Sequence, residues 1–202
     1  MAKLTTWLTL EEIEEMELRM RQLLGSAPRS LPGSERATRL TRQPADALVD
    51  VLRREHVSYE LLPHRHTETA IAEAEALKVD PDQVGKTLIL KTPSGYVRAV
   101  LRAADRLDLE KARRILGTPD VELADEVELV AAYPEFELGA VPPIGGPFDR
   151  VLVDERVFEH PYVVFEAGTH DESIRLRTGE LLSIAEAEAV DLAHDATTEG
   201  GT

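Results

Sequence analysis

Two runs of β-forming residues, Thr87 to Leu90 and Tyr96 to Arg102, flank Pro93-Ser94-Gly95 in the stretch TLILKTPSGYVRAVLR. Branched and aromatic side chains suit a pleated surface and the Pro-Ser-Gly triplet turns the chain, so this stretch predicts a β-hairpin. Helical and extended patterns alternate around it. ADALVDVLRREH has helical spacing, SYELL reads as a short strand, and TETAIAEAEALK is a second helix rich in good helix formers. LDLEKARRILG is a short helix with Gly117 in the stop position. RVLVD, YVVFEAG and SIRLRT follow as strands, and TGELLSIAEAEAV reads as a last helix initiated at Thr178. Strands joined partly by hairpins and partly by helices predict an α/β domain with a mixed central sheet, not a doubly wound parallel one.

The N-terminal part differs in character. TLEEIEEMELRMRQLL opens with Thr9 and Glu12 in capping-box spacing and places Leu10, Ile13, Met16, Met20 and Leu24 on one stripe, an amphipathic helix. GSAPRSLPGSERATRLTRQP after it lacks hydrophobic periodicity and reads as a flexible linker. Residues 1–44 are therefore expected to be helix and linker, 45–190 one compact domain, and 191–202 a disordered tail.

Composition removes several function classes. With no cysteine, disulfides, thiolate nucleophiles and cysteine-ligated metal centres are excluded. No apolar run reaches the roughly 18 residues needed to cross a bilayer and no hydrophobic signal segment is visible, so a cytoplasmic protein is expected. A net charge of −15 opposes wholesale wrapping of nucleic acid. The charge is uneven: Lys86 to Leu116 holds eight basic residues (Lys86, Lys91, Arg98, Arg102, Arg106, Lys111, Arg113, Arg114) against three acidic ones. That segment is either a phosphate-touching patch or a salt-bridged surface.

Three features could carry chemistry. Lys86 stands where the strand begins, on the same side of the pleat as Leu88 and Leu90; its ammonium either reaches water or neutralises a phosphate or oxyanion at a cleft mouth. FELGAVPPIGGPFD combines Gly139, Gly145 and Gly146 with Pro142, Pro143 and Pro147, either a structural turn or a rigid loop offering backbone groups to a ligand. His64 and His66 in LPHRHTET and His170 in EAGTHDES are loop histidines. They could hydrogen-bond a substrate or play no role; no motif supports a metal site. No nucleophile elbow, P-loop or dinucleotide fingerprint occurs.

VGKTLIL, ELGAVPPIG, EAGTHDESIRL and TGELL, in that order and spacing, together resemble the YbaK/prolyl-tRNA-synthetase-associated editing domain family over about Ala45 to Val190. The resemblance implies a single α/β domain with a mixed, partly barrel-like central sheet and surrounding helices. It implies a trans-acting aminoacyl-tRNA deacylase that hydrolyses the ester of a mischarged tRNA, with a small amino acid on tRNA for proline as the expected substrate and the tRNA acceptor end as partner. No cofactor and no metal is implied. Lys86 matches the family's active-site lysine and Gly139 the glycine of its Gly-x-x-x-Pro loop, which ends here at Pro143. His66, Thr69, Val141, Pro143, Ile144, Gly145, Gly168, Thr169 and His170 are the expected substrate-binding positions.

An ester is activated relative to an amide, so positioning and electrostatics could suffice without a serine or cysteine nucleophile. The alternative is a non-catalytic module of the same fold that binds tRNA or a synthetase. The N-terminal extension has no counterpart in the minimal domain. It could form a homodimer through Leu10, Ile13 and Met20, cover the pocket, dock on a synthetase, or pack on its own domain.

Overall fold

The computed structural model describes residues 44–146 and 149–195. The expected N-terminal helix and linker, and the end of the expected tail, lie outside these residues. The hairpin forms as β2 (Gly85–Thr92) and β3 (Gly95–Arg102), paired antiparallel from Gly85↔Arg102 to Thr92↔Gly95. Ahead of it come α1 (Pro44–Arg54), β1 (Tyr59–Pro63) and α2 (Ala70–Leu77). Behind it come α3 (Leu109–Leu116), β4 (Glu122–Leu123), α4 (Glu126–Ala132), β5 (Arg150–Asp154), β6 (Tyr162–Thr169), β7 (Glu172–Arg177), α5 (Thr178–Ile184) and β8 (Glu188–Val190).

The strands make two sheets where one central sheet was expected. One is antiparallel in the order β1-β7-β6; the other is mixed, in the order β4-β2-β3-β5-β8, with β3, β5 and β8 parallel. They do not close into a barrel. An isolated parallel bridge between Val84 and Val164 joins the start of β2 to β6.

Alternation along β3 shows how the core divides. Val97, Ala99 and Leu101 face one cluster with Leu90, Ala112 and Leu152, whereas Val100 faces another with Leu48, Leu52, Phe165 and Leu176. β3 is central, and five consecutive residues, Val97 to Leu101, are buried on its two faces. Local signals end the helices: Asp108 caps α3 through the Glu110 and Lys111 amides, Gly117 stops it at φ +70°, and Asp125 with Glu128 closes a capping box on α4.

The C-terminal end departs from expectation. SIAEAEAV does not continue the last helix: Glu186 adopts φ +47°, and the amides of Glu186 and Ala187 bond back to Ser183 and Leu182. This is a Schellman closure built without glycine, and it turns the chain into β8 beside β5. The cap position of that helix is Arg177, which makes no side-chain cap bond; the Thr178 hydroxyl donates instead to the His160 carbonyl. Residues 191–195, expected in a disordered tail, are packed. Leu192 and Ala193 are fully buried, and both amides donate to Oδ2 of buried Asp154.

Candidate active site

Four segments remote in sequence meet in a small cleft of about 50 Å³. The start of β2 brings Lys86 and Thr87, α2 and the residues before it bring Glu68, Thr69 and Glu73, and β6 brings Phe165 and Glu166. The loop after α4 adds Gly139 and Val141. The Val84 to Val164 bridge explains the meeting, since it sets the first residues of β2 beside the middle of β6.

Lys86 is partly buried, and its Nζ donates to the carbonyls of Ala103 at 2.9 Å and Asp105 at 2.5 Å. An ammonium has three N–H donors, so one remains for a ligand. Burial lowers its pKa below the ordinary lysine value, with Asp105 opposing and Arg106 adding to the effect.

Two carboxyls share the cleft with it. Glu73 is 1% exposed, and its Oε1 accepts from Ser173 Oγ at 2.6 Å. Burial, reinforced by nearby Glu166, raises its pKa to about 7 against the opposing Ser173 hydrogen bond and His170. Glu166 is also raised, by burial first, and its Oε1 lies 2.8 Å from Nδ1 of His170. His170 Nε2 donates to the Leu138 carbonyl at 2.8 Å, which fixes that nitrogen as protonated. Burial disfavours the His170 imidazolium, but its bonds to Glu166 and Leu138 outweigh this and raise its pKa.

The glycine loop is held from beneath. Arg98, 1% exposed, donates to the Pro142 carbonyl at 2.8 Å and to Asp149 at 3.1 Å, and Tyr133 OH donates to the same Asp149 oxygen. Gly139 stands at φ +92°, a conformation that favours glycine, with His170 Cε1 3.5 Å from where a Cβ would lie.

The expected site residues fall into two groups. Lys86, Gly139, Thr69 and Val141 line the cleft, with Thr69 also capping α2 through the Ala72 amide. His170 backs it, and His66 sets its ring edge-on to His170 with centroids 5.3 Å apart. Pro143, Ile144 and Gly145 do not reach the cleft; they line a separate cavity of about 570 Å³ with Val51 and Arg54. Gly168 is structural: at φ +99° its carbonyl accepts from Glu137 N, and a Cβ would lie 2.7 Å from Phe136 and Pro44. Thr169 pairs with Glu172 across the β6–β7 hairpin.

Sequence reasoning missed Glu73, Glu166 and Ser173. A signal existed for Glu166, the single acidic side chain in the apolar run YVVFEAG. The basic segment is largely neutralised in place: Lys91 pairs with Glu128, Arg102 with Asp105 and Glu159, Lys111 with Asp191 and Asp195, Arg113 with Glu110, and Arg98 is buried. Among the described residues no group of three histidine or acidic side chains is placed to hold a metal ion, and no helix is long and apolar enough to cross a membrane.

Comparison with known proteins bears on this geometry. The family model for the aminoacyl-tRNA editing domain matches residues 64–184, more than half of the chain. The Multifunctional Ser/Thr-tRNA deacylase ProXp-y of Escherichia coli (strain K12) is 27% identical over 150 residues, covering 71% of this chain and 89% of that protein. A crystal structure described as a candidate trans-editing enzyme for prolyl-tRNA synthetase superposes with a TM-score of 0.67 at 28% identity, over 75% of this chain and 98% of that one. A solved hypothetical protein, 23% identical with a TM-score of 0.68 over 73% of this chain and 99% of its own, shares the fold.

Proposed function

The chain belongs to the aminoacyl-tRNA editing domain family, and we propose that it is a trans-acting aminoacyl-tRNA deacylase, hydrolysing the ester between a small amino acid and the tRNA for proline. The observation that carries this reading is the convergence of Lys86, Gly139, buried Glu73 and partly buried Glu166 in one small cleft. A cavity of about 50 Å³ admits an amino-acid side chain of very few heavy atoms. Phe165 and Val141 give it an apolar wall, and the remaining Lys86 N–H supplies a donor for the oxyanion that forms when the ester carbonyl is attacked, or for the terminal adenosine. Gly139 permits close backbone approach, while His66, Thr69 and His170 fix the rim. Pro143, Ile144, Gly145, Gly168 and Thr169 act by shaping the loops and strands around the cleft.

The partner is the acceptor end of a mischarged tRNA in the cytoplasm. Because most cations of the basic segment are already paired, recognition rests on the cleft and its rim more than on an extended phosphate track. A synthetase and a second copy of this chain are further partners, checked by gel filtration with and without the synthetase and across protein concentrations.

The test is deacylation of alanyl-, cysteinyl-, seryl- and threonyl-tRNA for proline by wild type and Lys86→Ala. Release by wild type with a loss of about a hundredfold in the variant corresponds to roughly 2.7 kcal/mol of transition-state stabilisation. No release across a broad panel, with tRNA still bound, would overturn the hydrolase reading.

A further inference from the structure

Glu73, Ser173 and His64 come from three different elements and form one hydrogen-bonded line between the cleft and the surface. Glu73, on α2, lines the cleft. Its Oε1 lies 2.6 Å from Ser173 Oγ on β7, Ser173 Oγ lies 2.8 Å from His64 Nε2, and His64 Nδ1 lies 2.8 Å from the Arg65 carbonyl. Glu73 and Ser173 are buried, whereas His64, just past β1, is partly open to solvent.

A carbonyl oxygen only accepts, so Nδ1 of His64 carries a proton. That restricts what the line can be, because Ser173 has one proton to give. If Ser173 donates to a Glu73 carboxylate, Nε2 has to donate into the serine oxygen and the ring is an imidazolium. If Glu73 is protonated and donates to Ser173, the serine donates to Nε2 and the ring is neutral. The two arrangements hold the same number of protons and interconvert by two short hops.

We propose that this line is a proton relay in which Glu73 is the catalytic base of the hydrolysis, Ser173 the bridge and His64 the exchange point with water. The proposal rests on the deacylase reading. Passage of the Glu73 proton through Ser173 to His64 gives the ionised arrangement, in which the Glu73 oxygen not occupied by Ser173 takes a proton from water as the water oxygen bonds to the acyl carbon and the carbonyl π pair moves onto its oxygen. On collapse the carbonyl re-forms and the bond to the ribose oxygen breaks with its electron pair. That oxygen takes the proton from Glu73, which returns to carboxylate, and the released amino acid gives its carboxyl proton to solvent. Glu166 and His170 from the β6 side, Lys86 from β2 and Glu68 ahead of α2 are the other charged groups at this cleft, and Glu172 on β7 faces His64 at the outer end. Two carboxyls confined together disfavour double ionisation, and an imidazolium behind Ser173 counters that for Glu73.

The test has two arms. In the resting protein, the Glu73 carboxyl ¹³C and His64 ring ¹⁵N signals should titrate as a coupled pair, each showing both steps. Ser173→Ala should separate them into single independent steps and move the Glu73 midpoint up. A wild-type His64 that titrates as an isolated ring, or curves unchanged by Ser173→Ala, overturns the relay whether or not the chain deacylates tRNA. On a mischarged tRNA that wild type cleaves, Glu73→Gln should lower kcat by about a hundredfold or more and flatten its rise with pH. His64→Ala and Ser173→Ala should shift that rise to higher pH. Full activity of Glu73→Gln with an unchanged profile removes Glu73 from catalysis. If wild type cleaves nothing, the deacylase reading fails, and the first arm still decides the relay.

Discussion

Replacing Glu73 by Gln should stabilise the protein at alkaline pH and leave it little changed in acid. Glu73 sits 1% exposed with its pKa raised from an ordinary 4.5 to about 7. Below 4.5 the carboxyl is protonated in both the folded and unfolded chain, so its burial carries no ionisation cost. Between 4.5 and 7 the unfolded chain releases its proton first, the folded state binds more protons, and folding stability falls as pH rises. Above 7 the loss is complete, at about 3 kcal/mol from 1.36 kcal/mol per pH unit. Gln keeps an amide oxygen to accept from Ser173 but cannot ionise, so the variant escapes that loss. Glu172 titrates in both proteins and largely cancels in the difference, whereas Glu166, which repels an ionised Glu73, is relieved in the variant and acts in the same direction. Urea denaturation with linear extrapolation at pH 5 and pH 8 measures it. The variant should be favoured by less than about 1 kcal/mol at pH 5 and by about 3 kcal/mol at pH 8. A difference independent of pH, or one that shrinks towards pH 8, refutes the reasoning.

Arg98→Met should cost about 3–5 kcal/mol in chemical denaturation, because it strands the Asp149 carboxylate beside Tyr133 and releases the Pro142 carbonyl; retained stability would show that the pair does not hold the loop. Gly168→Ala meets both a φ of +99° and contacts of 2.7 Å to Phe136 and Pro44, so a loss of about 2 kcal/mol or more is expected in thermal or urea melts. Asp154→Ala leaves the Leu192 and Ala193 amides without their acceptor and should cost about 2 kcal/mol or more while amide exchange accelerates through residues 191–195. Lys86→Ala should lose deacylation about a hundredfold, and a melting control separates this from the release of the Ala103 and Asp105 carbonyls.

The parts of the fold legible in the sequence are those where local chemistry and tertiary packing agree. The hairpin turn at Pro93-Ser94 and the Gly117 stop each do in the structure what their side chains favour in isolation. β8 was not legible because AEAEAV is a helix former in isolation, and the residue that breaks the helix is Glu186 at positive φ, where glycine or asparagine would have given the signal. Only the edge offered by β5 decides it. Lys86 and Gly139 were legible as a lysine before an apolar strand and a glycine before a proline pair. Glu73 was not: in AIAEAEAL it alternates with Glu75, and nothing local says that Glu73 is buried against Ser173 while Glu75 stays exposed.

That hidden glutamate changes how the cleft works. With Lys86 and Gly139 alone, the site would position an ester and stabilise an oxyanion, leaving proton transfer to the substrate or to bulk water. The junction of the two sheets adds more. Just beyond the end of β3, where the ladder with β2 has run out, the carbonyls of Ala103 and Asp105 are free to hold the Lys86 ammonium. The Val84 to Val164 bridge brings Glu166 alongside, and α2 packs Ala74 against Val84 and Val164, which carries neighbouring Glu73 into the same space. Each carboxyl is backed by a histidine whose other ring nitrogen is tied to a carbonyl, Glu166 directly through His170 and Glu73 through Ser173 and His64. Burying two carboxyls costs stability, and a cleft serving only to bind an ester would be better built from apolar or amide side chains. Their pairing with proton-sharing partners favours a site that moves protons over one that merely holds a ligand.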